Sequence, residues 1–426
     1  MNSQYFPKLD ETLFRTQLPN GLTVMVVPKP EFGRKSAYFV TDFGAVHREF
    51  TLDGREYRTP AGVAHYLEHK LFDLPGRDVS AEFASLGASV NAFTSYDLTA
   101  YYFSCTENFD SCLRLLLEFV STPYFTEESV EKERGIIDQE IAMNADDPNT
   151  RVFENLVEAM YRSHNVRTPI LGTTDSIRRI TPEVLYTCHR AFYAPSNMLL
   201  CVMGDVDAYS ICDAAAEILG NERKSAAIKV PFPQEDLTCP QEQIEDRMDI
   251  PMPSFYMGFK CTPVPMGEDG IRQEIVGDLA AEVLFGEASE LYLQLYENGL
   301  IDSSFGGGFE TIDGAALLLC SGDSFETDRI RDTLVKQAQK LLRDGIPEDT
   351  FLRMKRSAFG RRIRDLDSFD STCFRICAYH LSGFDYFDFP TLYSDVTAVE
   401  IQEFLRRVVC QDRCSRALIN PFEEDA

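Results

Sequence analysis

The pattern of apolar and polar positions predicts both strands and helices along the first half of the chain. Apolar residues alternate with polar ones on both sides of Asn20-Gly21, a dipeptide typical of a β-hairpin turn. Strand patterns recur in this half at residues 36–44, 89–104 and 198–204. Helical periodicity is found at residues 79–86, 109–121, 127–144, 149–161 and 182–192.

The second half repeats this order of elements. Its predicted strands lie at residues 255–260, 315–321 and 416–420, and its predicted helices at 272–285, 290–298, 326–344, 347–366 and 399–409. Residues 180–202 align by eye with residues 396–419, because both run helix, short break, strand. Residues 221–245 are charged, contain three prolines and read as a linker. We therefore predict two homologous domains, residues 1–222 and 240–426.

Composition limits the classes of protein and partner. A chain of 426 residues is long enough for two or more domains, and no run of 18 apolar residues suggests a membrane span. Residues 1–6 show neither a basic nor an apolar targeting region, and the twelve cysteines are scattered without a C-x-x-C pair, so we expect a cytoplasmic protein. The net charge of −27 argues against nucleic acid and anionic membranes as partners.

One motif points to chemistry: His65-Tyr66-Leu67-Glu68-His69. In a helix, both imidazoles leave the same face, one turn apart, and can bind a zinc ion that still needs a third ligand. Glu68 lies beside the pair, where a carboxylate can take a proton from a zinc-activated water. The motif is the inverted form of the His-Glu-x-x-His metalloprotease motif. The alternative is a cluster of polar side chains without a metal.

The predicted helix has a start signal and an apolar side. Thr59 is expected as the N-cap, with Pro60 in the first helical position. Val63, Leu67 and Leu71 are expected to pack the helix down and leave the histidine side facing a cavity.

A second helix offers carboxylates for the third ligand position. In residues 127–140, Glu133 and Glu140 are seven residues apart and share one face. Taken alone, a glutamate-rich helix is more often a solvated one. The spacing leaves both interpretations open.

Four stretches together resemble the pitrilysin/insulinase metallopeptidase family, the inverzincins. They are residues 65–69, 87–95, 133–140 and 192–198. The similarity covers essentially the whole chain, strongly to about Asp207, and is greatest to the YmfH-type bacterial branch of processing-peptidase-like proteins. The resemblance implies two α+β domains, each a mostly antiparallel sheet covered by helices, that form half of a clamshell.

The resemblance also implies roles for individual residues. His65, His69 and Glu140 are expected to bind Zn²⁺, Glu68 to be the general base, and Glu133 to stand behind the metal ligands. The strand at Asn91, Ala92 and Phe93 is expected to take a peptide by strand addition. A turn-forming role for Asn91 is the alternative.

One departure from the family bears on assembly. Family members complete the site from their C-terminal portion with an arginine and a tyrosine, but here Tyr296 stands in the arginine position and Asp302 or Ser303 replaces the tyrosine. The second half also has a single histidine, His380. We expect a zinc endopeptidase subunit that pairs with a zinc-less paralogue, or alternatively forms a homodimer. The rival functions are a non-catalytic scaffold or regulatory subunit and a zinc hydrolase acting on a non-peptide amide.

Overall fold

The computed structural model describes residues 1–223 and 227–422. Residues 224–226 of the predicted linker and the last four residues of the predicted second domain lie outside this part. The strands are β1 (Asn2–Phe6), β2 (Glu11–Gln17), β3 (Thr23–Pro28), β4 (Lys35–Thr41), β5 (Glu49–Leu52), β6 (Arg55–Arg58), β7 (Asp73–Leu74), β8 (Arg77–Asp78), β9 (Ser89–Thr94), β10 (Thr99–Cys105), β11 (Met198–Gly204), β12 (Ile228–Lys229), β13 (Gln243–Met248), β14 (Ser254–Cys261), β15 (Gly306–Ile312), β16 (Ala315–Asp323) and β17 (Cys414–Pro421).

Helices connect and cover these strands. The α-helices are α1 (Val63–Leu71), α2 (Val79–Ser85), α3 (Phe109–Ser121), α4 (Glu127–Ala145), α5 (Pro148–Met160), α6 (Thr174–Ile177), α7 (Pro182–Phe192), α8 (Ala208–Leu219), α9 (Glu268–Phe285), α10 (Glu290–Glu297), α11 (Thr327–Asp344), α12 (Glu348–Asp365), α13 (Phe369–Leu381), α14 (Phe389–Asp395) and α15 (Ala398–Val408). Short 3₁₀ turns lie at Asn165–Arg167, Pro195–Asn197, Tyr386–Asp388 and Gln411–Arg413. No helix of the described residues is long and apolar enough to cross a membrane.

The chain forms two compact units, each built from three segments. The first unit comprises Met1–Ile141, Thr168–Pro231 and Asp365–Asp388. The second unit comprises Ala142–Arg167, Phe232–Arg364 and the chain from Phe389 onward. Each unit thus takes a short segment from the other half of the sequence. The division into domains of residues 1–222 and 240–426 stays a prediction about the sequence.

A seven-stranded sheet organises the first unit. The strand order is β1-β2-β3-β11-β4-β10-β9, and only the β3–β11 pair is parallel. β11 is apolar and buried at every position, as expected for a strand in the middle of a covered sheet. β9, with its partly polar sequence, lies at one edge.

The second unit repeats this topology. Its sheet has the order β13-β17-β14-β16-β15, again with one parallel pair, β13–β17, at the start. This order matches β3-β11-β4-β10-β9 of the first unit strand for strand. The structure therefore confirms the α+β class with two similar domains of mostly antiparallel sheet covered by helices.

Two helices cross between the sequence halves. α5 comes from the first half and packs on β13, β14 and β17 of the second unit. α13 comes from the second half and packs on β4 and β11 of the first unit. Residues 369–381 were missed as a helix because the buried face of α13 includes a threonine and two cysteines, which weaken its apolar signal.

Several other elements escape the sequence patterns. β15 begins with three glycines, so its strand propensity is low. β13 lies at the end of the predicted linker, where charged residues hide the strand. The single strand predicted at residues 89–104 is a hairpin, β9 and β10, with a turn at Ser95, Tyr96 and Asp97. By contrast, the hairpin around Asn20-Gly21 is confirmed: β2 pairs antiparallel with β3, and Gly21 has a φ of 96°.

A half-buried carboxylate in the second unit anchors the segment that the sequence shows as a linker. Glu235 accepts hydrogen bonds from the consecutive N–H groups of Arg162, Ser163 and His164, and from Lys260 Nζ at 2.7 Å. Lys260 is almost fully buried and lies 4.4 Å from the ring centroid of Tyr161. Burial alone would raise the pKa of Glu235, but these donors outweigh burial and lower the pKa to about 2.

Replacing this carboxylate should destabilise the second unit. Glu235→Gln removes one partner of a buried ion pair, so we expect the free energy of unfolding at pH 7 to fall by roughly 3 kcal/mol. The folded state binds fewer protons than the unfolded chain between the folded pKa of about 2 and the ordinary value of 4.5. The stabilisation is therefore full above about pH 4.5 and is lost as the pH falls towards 2.

Urea titrations of the wild type and the variant at several pH values measure this difference. Asp236→Asn is the matched control, because it removes a neighbouring exposed carboxylate. Equal unfolding midpoints for Glu235→Gln and Asp236→Asn at pH 7 would contradict the assignment.

Candidate metal centre

Helix α1 carries the histidine pair of the motif. The rings of His65 and His69 leave the same side of the helix, with centroids 4.5 Å apart. His65 is 6% exposed and His69 is partly exposed. Val63, Leu67 and Leu71 are buried, as expected for the side that packs the helix down.

The predicted start of this helix is wrong. α1 begins after Gly62, which has a left-handed φ of 85°, so Thr59 does not cap it and Pro60 lies outside it. The hydroxyl of Thr59 instead donates to the carbonyl of Arg48 at 3.1 Å. A Cβ atom on Gly62 would lie 2.3 Å from the carbonyl oxygen of Leu171. The close approach of this second segment, which local sequence does not reveal, sets the beginning of the helix.

Helix α4 brings two glutamates to the histidine pair. Glu140 Oε2 lies 3.5 Å from Nε2 of both His65 and His69. Glu133 Oε1 lies 3.0 Å from His69 Nδ1. His65, His69 and Glu140 form a group whose possible ligand atoms all lie within 4.8 Å of one another. No other group of three or more His, Cys, Asp or Glu residues among those described is as close.

These separations suit a metal ion better than direct hydrogen bonds. N–H···O hydrogen bonds usually measure about 2.7–3.2 Å, so the two contacts of Glu140 at 3.5 Å are long. Atoms that bind zinc at about 2.0–2.1 Å in a tetrahedron lie about 3.4 Å from one another. Two imidazole nitrogens and one carboxylate oxygen also form a donor set known from catalytic zinc sites, which keep a fourth position open. The three residues therefore fit zinc.

Glu133 determines which nitrogen of His69 is available to a metal. A carboxylate only accepts hydrogen bonds, so Nδ1 carries the proton, and in the neutral ring Nε2 then keeps its lone pair. Burial lowers the pKa of His69, but the hydrogen bond to Glu133 and the neighbouring carboxylates outweigh burial, so the pKa lies above its ordinary value. The interaction with His65 is the main cause that lowers the pKa of Glu140, against the opposing effect of burial.

Glu68 lies next to the histidines and is 8% exposed. Burial raises the pKa of Glu68, while His65 and the hydroxyl of Thr94 oppose the rise without cancelling it. A carboxylate with a raised pKa takes a proton more readily than an ordinary surface glutamate. The position and the pKa shift are those expected of a general base.

Thr94 is a site residue that the sequence interpretation missed. Its hydroxyl donates to Glu68 Oε2 at 2.7 Å and lies 3.3 Å from the hydroxyl of Thr99 on β10. Thr94 belongs to the segment 87–95 that carries the family resemblance. Its position could have been predicted from the sequence. Thr94 is two residues after Ala92, and alternate residues of a strand share one face, so both were expected on the same side of β9.

Strand β9 forms the edge of the sheet beside this centre. It pairs with β10 on one side, and no strand of the described residues pairs with its other side. Asn91 and Ala92 line a cavity of about 550 Å³ that also reaches Glu68 and His69. The predicted substrate strand is therefore next to the candidate metal ligands.

Phe93, the third predicted substrate residue, has its side chain elsewhere. Its ring packs against Tyr102 at 6.1 Å and against Phe374 of α13 at 5.6 Å between centroids. This placement follows from strand alternation, because Phe93 is one residue away from both Ala92 and Thr94. Phe93 would therefore meet a peptide added to this edge mainly through its backbone.

The residues at the positions of the missing arginine and tyrosine lie in the second unit. Tyr296, at the end of α10, is about half exposed and stacks on Tyr292 with ring centroids 5.9 Å apart. Asp302 accepts a hydrogen bond from the N–H of Ser304 at 2.7 Å. Neither side chain supplies a cationic donor.

Comparisons with known proteins agree with the geometry. Residues 54–174 match the family model described as Insulinase (Peptidase family M16), and residues 179–358 match the model described as Peptidase M16 inactive domain. The chain is 35% identical to the uncharacterized zinc protease YmfH of Bacillus subtilis, with 98% of each chain covered. It is 25% identical to YmxG of the same organism, over 86% of this chain and 91% of that relative.

Solved structures show the same fold. A putative M16-like peptidase from Alicyclobacillus acidocaldarius is 32% identical and superposes with a TM-score of 0.93, covering 97% of this chain and 99% of the other. A protease from Helicobacter pylori, 18% identical, shares the fold with a TM-score of 0.81, covering 96% and 99%. Nearly full-length similarity and two matched models lead to one conclusion: the chain belongs to the insulinase family of peptidases, family M16.

Proposed function

We propose that this chain is the catalytic subunit of a zinc-dependent endopeptidase that hydrolyses peptides or unfolded segments. One observation carries the proposal: two imidazole nitrogens and Glu140 Oε2 converge within 4.8 Å, with the buried carboxylate of Glu68 on the same helix as the histidines. Relatives that are named as zinc proteases support the same chemistry.

Each residue of the centre has a separate task in this proposal. His65, His69 and Glu140 hold the zinc ion, and Glu133 keeps the ring of His69 in the orientation and tautomer that binding needs. When bound, zinc would polarise the scissile carbonyl and lower the pKa of water. Glu68 takes the proton from the attacking water and passes it to the leaving amine.

The peptide would add to the free edge of β9. Backbone groups of residues 91–93 pair with an extended substrate along this open sheet edge, and the N–H of Ala92 exchanges its present acceptor, Asn91 Oδ1 at 2.9 Å, for the substrate. Ala92 leaves room next to the cavity that reaches Glu68 and His69. Strand addition depends little on side chains, which suits peptides and unfolded segments as substrates.

Zinc content tests the ligand set. We expect about one zinc per chain in the wild type and a clear loss of zinc in Glu140→Gln, because a neutral amide is a poorer ligand than a carboxylate. Metal analysis of the purified proteins measures the ratio. Glu128→Gln, an exposed position on the same helix, is the control and should keep full zinc. Full occupancy in Glu140→Gln would remove Glu140 from the ligand set.

Replacing the proposed base should separate binding from turnover. Glu68→Gln keeps the shape of the side chain but not its ability to accept a proton, so zinc content and fold should persist. Peptide hydrolysis should fall by at least the roughly 10²–10⁴-fold that general acid–base catalysis contributes. Near wild-type cleavage by this variant would show that the base is another group.

The last part of the proposal concerns assembly. We propose that the chain is fully active only as a heterodimer with a zinc-less paralogue that supplies the missing arginine and tyrosine. Two arginines that could replace that donor from within are engaged: Arg361 pairs with Glu282 at 2.5 Å, and Arg362 lies within 3.5 Å of Glu274 and Asp278. A homodimer is the alternative assembly, and it would lack the same donors.

Mixing experiments distinguish these assemblies. The loss of one oxyanion donor costs about 10²–10³ in rate, so the isolated chain should be weakly active and a purified zinc-less paralogue should raise its activity by about that factor. Peptide cleavage by the chain alone and by the mixture measures the gain. Equal activity in both would reject the heterodimer. Absence of turnover in both, with zinc bound, would favour the scaffold function.

A further inference from the structure

The helix that carries Glu133 and Glu140 has few apolar contacts to hold it in place. Of the 19 residues of α4, only Val130 and Ile137 are buried. The 13-residue helix α3 of the same unit buries eight. Burial of apolar side chains is what usually positions a helix on its sheet. The position of α4 therefore depends on other contacts.

Two polar side chains of α1 provide such contacts. The hydroxyl of Tyr66 donates to the carbonyl oxygen of Val130, and Lys70 Nζ donates to the carbonyl oxygen of Ser129 at 3.4 Å. Both donors are fully buried. The two carbonyls are consecutive in the first turns of α4. Helix α1 thus donates hydrogen bonds to the backbone of α4 at two consecutive residues.

The contact of Tyr66 reaches into the backbone ladder of α4. The carbonyl of Val130 is the usual acceptor of the Arg134 N–H in an α-helix, so the Tyr66 hydroxyl binds an acceptor that belongs to this ladder. The helical turn that begins at this carbonyl includes Glu133.

The second donor is a lysine whose charge is compensated. Lys70 Nζ also pairs with the carboxylate of Asp73, three residues along the chain. A buried ammonium group is costly unless it is paired, and this pair lets Lys70 direct a further N–H towards α4. Ser129 is fixed in turn, because its hydroxyl and N–H exchange hydrogen bonds with Thr126. The acceptor of Lys70 thus lies on an ordered first turn.

The spacing on α1 connects these contacts to the metal centre. Tyr66 and Lys70 are four residues apart, and each directly follows one of the histidines, which are also four apart. One ridge of α1 therefore contacts the backbone of α4, and the adjacent ridge faces Glu133 and Glu140. Because a helix is stiff, fixing its first turns fixes the height and rotation of both carboxylates further along.

We propose that Tyr66 and Lys70 are positioning residues that hold α4 in the register required for Glu140 to bind the metal and for Glu133 to orient His69. The proposal rests on the proposed metal centre but adds residues that touch neither metal nor substrate. It also gives a reason why the residue inside the motif is Tyr66 and the residue directly after it is Lys70. An apolar side chain in either position would pack against α4 but would donate no hydrogen bond to it.

Zinc affinity of conservative variants tests the proposal. Tyr66→Phe removes one hydroxyl and keeps the ring, and Lys70→Met keeps the length of the side chain. We expect each variant to raise the zinc Kd, measured by competition with a chromophoric chelator, by about 10–100-fold, the usual effect of losing an outer contact of a metal site. Tyr161→Phe is the matched control: in the second unit, a buried Tyr161 hydroxyl likewise donates to a backbone carbonyl, at 3.1 Å. Its zinc Kd should equal that of the wild type.

A double-variant comparison separates positioning from general loosening. In a Glu140→Gln background, Tyr66→Phe should raise the zinc Kd by a smaller factor than it does in the wild type, because one of the two carboxylates that it positions is gone. Unfolding of the zinc-free proteins, followed in parallel, shows that each variant is folded. A zinc Kd of folded Tyr66→Phe within twofold of the wild type, or an equal rise in Tyr161→Phe, would overturn the proposal. Failure of the wild type itself to bind zinc would instead reject the metal centre.

Discussion

The contact between α1 and α4 is the constraint on which the centre depends. One helix contributes two imidazoles and a buried carboxylate, and the other contributes Glu140 at 3.5 Å from both imidazole nitrogens. Burial disfavours the charged form of the Glu68 carboxylate and raises its pKa. The carboxylates around His69 favour positive charge on its ring and raise the pKa of His69 despite burial. The electrostatics of the site therefore favour a cation.

The second unit has the same strand order as the first, but its corresponding helix differs. Where the first unit places α1 after β4, the second places the long helix α9 after β14. α9 has no histidine and buries eleven of its residues. A Cβ atom on Gly277 would lie 2.3 Å from the ring of Phe309 on the edge strand β15, so helix and strand are packed in close contact. In the second unit, α9 and β15 thus pack against each other where the first unit has the candidate metal centre.

The exchange of α5 and α13 explains why the units are hard to recognise in the sequence. The single histidine of the second half, His380, lies in α13 and belongs to the first unit, whereas His164 of the first half belongs to the second unit. The exchange also brings Phe374 of α13 against Phe93, so the edge strand β9 rests on a helix more than 200 residues away in sequence. No local pattern reports such a contact.

Much of the fold and of the site could be predicted because the relevant signals are local. The hairpin at Asn20-Gly21, the bounds of α3 and α7, and the four-residue spacing of His65 and His69 each depend on periodicity over one or two turns. The resemblance added Glu133 and Glu140, for which spacing alone left open whether they bind a metal or are solvated glutamates. Three elements were missed because their apolar signal is weak: β15 begins with glycines, β13 is charged, and the buried face of α13 includes a threonine and two cysteines. Tertiary contacts still order these segments.

The sequence by itself determined the family, the order of most elements and the side chains available for chemistry, since these follow from residue identity and short-range spacing. The tertiary structure decided where α1 begins, because Leu171 leaves room only for Gly62. It decided that Thr94 meets Glu68 and that the ring of Phe93 turns away from the centre. It also decided how Tyr66 and Lys70 hold α4. All of these depend on distances between segments far apart in the chain, and those distances exist only once the sheets and helices have packed.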